Sequence, residues 1–124
     1  MSGSNNDLGY HTGNNHIVGS YNDIDTENAF VAGTGNTVTG NFSRTMGNGL
    51  NNSGYAMIAL GVFNKTEGNS STTLGDDSPL LVVGNGTSST EDSRSDALII
   101  NRNGDIIIPK VQGDISMGIY APSN

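Results

Sequence analysis

Apolar and polar positions along the chain recur with a period of fourteen residues. Aligned on Gly19, Gly33, Gly47, Gly61 and Gly75, the residue before the glycine is always apolar: Val18, Ala32, Met46, Leu60 and Leu74. Three positions after the glycine stand Asn22, Asn36, Leu50 and Asn64, and five after it Ile24, Val38, Asn52 and Thr66, alternating with polar residues. Alternation of period two marks a half-buried strand. Each turn therefore reads as two strands of about four or five residues. A period this short has no room for a helix and predicts a solenoid of stacked strands. A second series, Gly40, Gly54 and Gly68, falls midway between the first, so each turn is predicted to reverse twice, with glycine supplying the positive φ of each corner.

Stacking places equivalent positions of successive turns roughly 4.8 Å apart, so like side chains form ladders. Asn22, Asn36 and Asn64 are predicted to form one, their amides hydrogen-bonding along the axis; the plainer reading makes them turn formers. The apolar runs Ala29–Ala32 and Ala56–Leu60 are continuous, which predicts burial on both faces of the first strand of each turn. Five turns stack to only roughly 24 Å, too slender a column to bury much core alone. Association of identical chains through the second face is the economical solution.

These repeats resemble the YadA-like heads of trimeric autotransporter adhesins, whose fourteen-residue unit has the form N-S-V-A-I-G-x-x-S-x-A-x-G. Asn28-Ala29-Phe30-Val31-Ala32-Gly33 with its continuation to Gly40 carries the likeness, as do Tyr55 to Gly61 and Val62 to Gly68. The resemblance covers about half of the chain, and implies a left-handed parallel β-roll assembled as a trimer. Two departures stand out: the serine of the motif is Asn or Leu50 here, and Arg44 occupies a place where the family has an apolar residue. A charge in a buried seam is costly unless paired, so Arg44 is expected to face water, the alternative being a carboxylate from a neighbouring chain.

The register ends at Asp76-Asp77-Ser78-Pro79, a turn cluster whose proline cannot donate to a ladder. Beyond it come Leu80-Leu81-Val82-Val83 and Ala97-Leu98-Ile99-Ile100, then Asn103-Gly104 before Ile106-Ile107-Ile108. Asn-Gly between aliphatic runs is a strong hairpin signal, and the block is predicted to be three antiparallel strands. The string from Val82 to Thr90, with Ser93-Arg94-Ser95-Asp96-Ala97-Leu98 after it, resembles a segment of phage tail fibres. That resemblance implies an architectural role, in which three hairpins wrap one another and bury Ile99, Ile106 and Ile108.

Composition narrows the function. Glycine accounts for 18 of 124 residues and charged residues for 14%, a balance suited to turn-dense β-structure. A net charge of −7 with five Lys and Arg opposes binding to nucleic acid or anionic membrane. No apolar run is long enough to span a bilayer, and the lack of cysteine excludes disulfides and thiolate metal sites. Met1-Ser2-Gly3-Ser4 reads as an expression scar or a bare start without a signal peptide, which makes the chain a piece of something longer.

Candidate chemistry is sparse. His11 and His16 lie in no nucleophile or zinc motif, and His16 shares its strand position with Phe30 and Ile58, so it reads as a packing residue. Asp23, Asp25, Asp76 and Asp77 could pair for glycoside hydrolysis, and Asp23-Ile24-Asp25 could offer calcium its oxygens, yet all fall in turns where Asp caps backbone. No catalytic residue, metal or cofactor is expected. Tyr21 and Phe63 both stand two residues after the first glycine, where other turns have Gly35, Gly49 and Asp77. They are the candidate ligand contacts, stacking on a sugar ring or anchoring in a protein partner; the alternative is that they fill gaps between protomers.

The expected molecule is an all-β intertwined homotrimer. Residues 1–12 read as a leader or scar, 13–76 as a β-roll repeat domain, 77–109 as an antiparallel β-hairpin unit and 110–124 as a C-terminal tail. Its expected role is non-catalytic attachment, as part of an extracellular, phage-like tail fibre on a virion that contacts a cell-surface glycan or protein receptor. A bacterial surface adhesin head, a structural spacer and a glycan-degrading tailspike are the alternatives.

Overall fold

The structure is a computed structural model, and it describes residues 2–9 and 13–109. These form a parallel β-solenoid of about four turns, without an α-helix among the described residues. One strand series is long: β2 (His16–Ser20), β4 (Phe30–Thr34), β6 (Arg44–Asn48) and β8 (Ile58–Val62). The other is short: β1 (Asp7–Leu8), β3 (Asp23–Ile24), β5 (Thr37–Val38) and β7 (Asn51–Asn52). The short strands have two residues each, not the four or five expected, because the corners on either side consume the rest of each repeat.

Register follows the fourteen-residue period through β8: His16 pairs with Phe30, Phe30 with Arg44 and Arg44 with Ile58. The first glycine series stacks likewise. Gly19, Gly33, Gly47 and Gly61 have positive φ, and a Cβ built on Gly19, Gly33 or Gly47 would stand 1.9 Å from the carbonyl oxygen of the next glycine. They are needed for conformation and close approach together.

Gly75 does not join this column: Gly84, at the end of β9 (Pro79–Asn85), pairs with Gly61 in its place. A strict fifth repeat would set polar Thr73 after Ile17, Val31, Thr45 and Ala59 on the inward face. Val82 fills that position instead and is fully buried, so hydrophobic burial overrides the period. Residues 65–78 are looped out between the two.

Of the second glycine series only Gly68 has positive φ (123°), so the series does not supply that conformation at the second corner of each turn. That conformation belongs to Asn14, Asn28, Phe42 and Ala56, fourteen residues apart, whereas Gly40 and Gly54 are absent from the positive-φ residues. Gly40 is small for another reason: its Cβ would meet the Gly54 carbonyl oxygen at 2.2 Å.

The asparagine ladder forms with a different membership. Asn22 Nδ2 donates to Asn6 Oδ1 (3.0 Å) and Asn36 Nδ2 to Asn22 Oδ1 (3.0 Å). Asn36 Oδ1 then accepts the Leu50 N–H at 2.9 Å. Leu50 ends the ladder because it has no amide, and Asn64 beyond it bonds the backbone of Asn51 and Thr66.

The seven-stranded sheet runs on past residue 76. β9 is parallel to β8, β10 (Asp96–Asn101) is antiparallel to β9, and β11 (Ile106–Ile107) is antiparallel to β10 through a turn at Asn103-Gly104. Residues 2–9 also pair with the first turn, through the Ser2–Val18 bridge and β1 on β3. Ile99 is buried within its own chain against Val82, on the face opposite Ile106. It is therefore not on the surface where the sequence placed it for wrapping between chains.

Between the two sheets lie two apolar clusters, Ile17–Ile24–Ala29–Val31–Val38 and Leu50–Met57–Ala59–Val82–Ile99. The third turn separates them with buried Ser43, Thr45 and Asn52. Asn52 Nδ2 reaches the Thr45 hydroxyl (3.0 Å) and the Met57 carbonyl (3.1 Å), whereas Ser43 Oγ finds no partner among the described residues.

Candidate functional site

One corner of the solenoid carries Tyr21, Gly35, Gly49 and Phe63 at equivalent positions, all with positive φ of 44–67°. Glycine suits this conformation; a bulky residue in it is strained by roughly 1–2 kcal/mol. Tyr21 is 64% exposed, so its ring gains little burial in return. Phe63 has a different setting. Its ring lies over Gly49, where an added Cβ would come within 2.2 Å of Phe63 Cε1, and the Arg94 guanidinium stands 5.9 Å from the ring centroid on a cation–π contact. Arg94 also donates to the Gly49 carbonyl at 2.8 Å and the Ser89 carbonyl at 3.2 Å. The two aromatics share a corner three turns apart, roughly 14 Å at the stacking distance. Tyr21 is presented to solvent and Phe63 is clasped.

The outward face of the seven-stranded sheet shows two columns. The first runs His16, Phe30, Arg44, Ile58, Leu81, Ile100 and Ile106, and the second Val18, Ala32, Met46, Leu60, Val83 and Leu98. No described segment covers them: Met46 is 47% and Ile106 55% exposed. His16 stacks on Phe30 with ring centroids 5.3 Å apart, a packing contact. Arg44 is exposed, and its guanidinium folds back to donate to the Phe42 carbonyl at 2.6 Å.

The acidic candidates are dispersed. Asp76 forms an exposed pair with Arg102 (3.3 Å), while Asp25 and Glu27 line a shallow cleft with Thr39, Asn41, Ser71 and Thr72. Among the described residues no three His, Cys, Asp or Glu side chains gather as a metal site would require. No helix among them is long and apolar enough to cross a membrane. His11 lies outside the described residues.

Sequence reasoning missed four participants. Asp96 is buried, and its carboxylate accepts the Lys65 and Thr66 N–H groups at 2.8 and 2.9 Å, pinning the backbone where a further short strand would have started. Its place in Ser-Asp-Ala gave no signal of a partner thirty residues away. Arg94 was hidden in a polar stretch. Asn6 precedes Asn22 by sixteen residues, outside the fourteen-residue register. Tyr55 meets Phe42 edge to face at 5.7 Å across adjacent turns, and fourteen-residue alignment sets the two one position apart. No family model, curated protein or solved structure matches the chain.

Proposed function

We propose that the chain is a segment of a non-catalytic, homotrimeric fibre that mediates attachment to a host or cell surface. A phage-like tail fibre, extracellular as part of a virion, is the form we favour. One observation carries the reading: the outward face of the seven-stranded sheet is largely apolar, interrupted only at His16 and Arg44, with nothing of the described chain upon it. A face of this kind on a thin solenoid needs a cover, and identical copies in a cyclic arrangement supply one without leaving an open edge. Resemblance of the repeats to trimeric adhesin heads, and of the hairpin block to tail-fibre segments, supports the same assembly. Exposed Tyr21, held in a strained backbone conformation, is the side chain best placed to meet a glycan or protein receptor.

Light scattering of the full chain tests the assembly, with three chain masses expected and a stable single chain refuting it. Binding to host cells or a glycan array tests attachment: saturable binding that Tyr21→Ala abolishes is expected. The clasp of Arg94 on Phe63 favours a second reading, a purely structural spacer, under which no saturable binding occurs.

A further inference from the structure

We propose that Asn103 is a self-modification site. The main-chain nitrogen of Gly104 attacks the Asn103 side-chain amide, ammonia leaves, and water opens the resulting five-membered imide to aspartate or isoaspartate. This reaction is separate from attachment and needs no reactant but water. The chain has three Asn-Gly pairs, Asn48-Gly49, Asn85-Gly86 and Asn103-Gly104. Glycine after asparagine favours ring closure because no Cβ stands in the way and its backbone swings readily. By sequence the three pairs have the same chemistry. The fold separates them.

Two of the pairs are shut. Gly49 and Gly86 are buried. The Gly49 N–H donates to the Thr34 carbonyl at 2.9 Å and the Gly86 N–H to the Val62 carbonyl at 3.0 Å, bonds that tie successive turns together. Gly49 lies under the Phe63 ring, and a Cβ on Gly86 would come within 2.3 Å of the Phe63 carbonyl oxygen. Neither backbone has room to swing toward the side chain before it. Asn85 is held as well, its Oδ1 accepting from the Ser95 hydroxyl. For both pairs, base reaches the nitrogen only after local opening of the turns.

The third pair is open. Asn103 and Gly104 are both exposed in the turn between β10 and β11, and nothing lies within 4 Å of where a Gly104 Cβ would be. The Gly104 N–H is tied only to the Asn101 carbonyl at 3.0 Å, a local bond within reach of water. Asn103 Oδ1 accepts the Asp105 N–H at 3.0 Å, and Asn103 Nδ2 donates to Asp105 Oδ2 at 3.1 Å. When the Gly104 nitrogen loses its proton to solvent base and bonds to Asn103 Cγ, negative charge builds on Oδ1. The Asp105 N–H already points at that oxygen and stabilises it. The Cγ–Nδ2 bond then breaks, and the nitrogen leaves as ammonia with a proton from water. Water cleaves one of the two imide C–N bonds: the bond to Cγ gives aspartate, and the bond to the main-chain carbonyl carbon gives isoaspartate. An amide and a water become a carboxylate and ammonia, with no oxidant involved.

Conversion alters the hairpin. Aspartate sets an anionic oxygen where Nδ2 donated to Asp105, so a hydrogen bond becomes a repulsion between carboxylates. Isoaspartate also carries the main chain through Cβ and Cγ, which lengthens the turn. β11 is held to β10 by only the pairs Ile99–Ile107 and Ile100–Ile106, and it is the element released.

The experiment ages the full chain in mildly alkaline buffer at body temperature and follows each Asn-Gly peptide by mass spectrometry after proteolysis, with an isoaspartyl methyltransferase marking isoaspartate. The Asn103 peptide is expected to convert roughly tenfold faster, or more, than those of Asn48 and Asn85, which wait on local opening. In guanidinium, where every turn is open, the three rates are expected to converge. Gly104→Ala, whose methyl group has free space in the fold, is expected to slow conversion of Asn103 several-fold while circular dichroism shows the chain folded. In the aged wild type, hydrogen exchange should speed at β11 and stay unchanged from β2 to β8. Equal conversion of the three pairs in the folded chain overturns the proposal. So does an Asn103 lead that persists in guanidinium, an Asn103 that converts only there, or an unchanged rate in Gly104→Ala. Unchanged exchange at β11 after conversion refutes the release of the hairpin.

Discussion

Gly33 and Gly104 show how differently two glycines of positive φ hold this protein together. Gly33 has φ 129° and no room for a Cβ, whereas Gly104, with φ 96°, has nothing within 4 Å of where its Cβ would be. Gly33→Ala should therefore cost about 3 kcal/mol or more, since neighbouring backbone has to move, and Gly104→Ala about 1 kcal/mol for conformation alone. Urea unfolding of both variants checks the ratio. Asn36 makes a similar test of the ladder. Replacing it with leucine, the residue that nature uses in the same column at position 50, removes the acceptor for the Leu50 N–H and the donor to Asn22 and Gly47. A loss of about 2–4 kcal/mol is expected, because the orphaned groups are buried. Tyr21 should behave in the opposite sense. Tyr21→Gly relieves a left-handed conformation with little buried area at stake, so stability is expected to rise by up to about 1 kcal/mol while receptor binding falls.

At the scale of elements, the loop of residues 65–78 is what breaks the repeat, and Asp96 on β10 is what holds its beginning. The carboxylate supplies two acceptors to successive amides that would otherwise face a missing strand. Asp96→Ala should destabilise the chain by about 2–3 kcal/mol, and hydrogen exchange should speed first at Lys65 and Thr66, with the turns from β2 to β6 unchanged. The Arg102–Asp76 pair beside the hairpin is solvent-exposed, so Asp76→Ala is expected to change the melting temperature very little. The hairpin itself was legible in sequence because Asn103-Gly104 is local chemistry. The looped-out segment was not, because its cause is a competition between Thr73 and Val82 for one buried place, and neither residue reports that contest by itself.

For the whole molecule, the division between a buried interior and an uncovered outer face governs what assembly should look like. A seam made of aliphatic side chains has little Coulombic content, so the assembled mass should be the same at low and high salt. Sedimentation at two ionic strengths tests this; dissociation at high salt would place the contact on pairs of opposite charge instead.

The fourteen-residue spacing by itself determined the solenoid, the parallel register through β8, the glycine column and most of the asparagine ladder. Each follows from the same residue type recurring at the same step, and that is local information. Tertiary structure alone decided that Gly84 replaces Gly75, that Asn64 leaves the ladder, that Arg94 clasps Phe63 and that Asp96 ends the small sheet. Those outcomes depend on which of several distant groups wins a buried site or satisfies an orphaned amide, and such contests are settled only when the chain is folded.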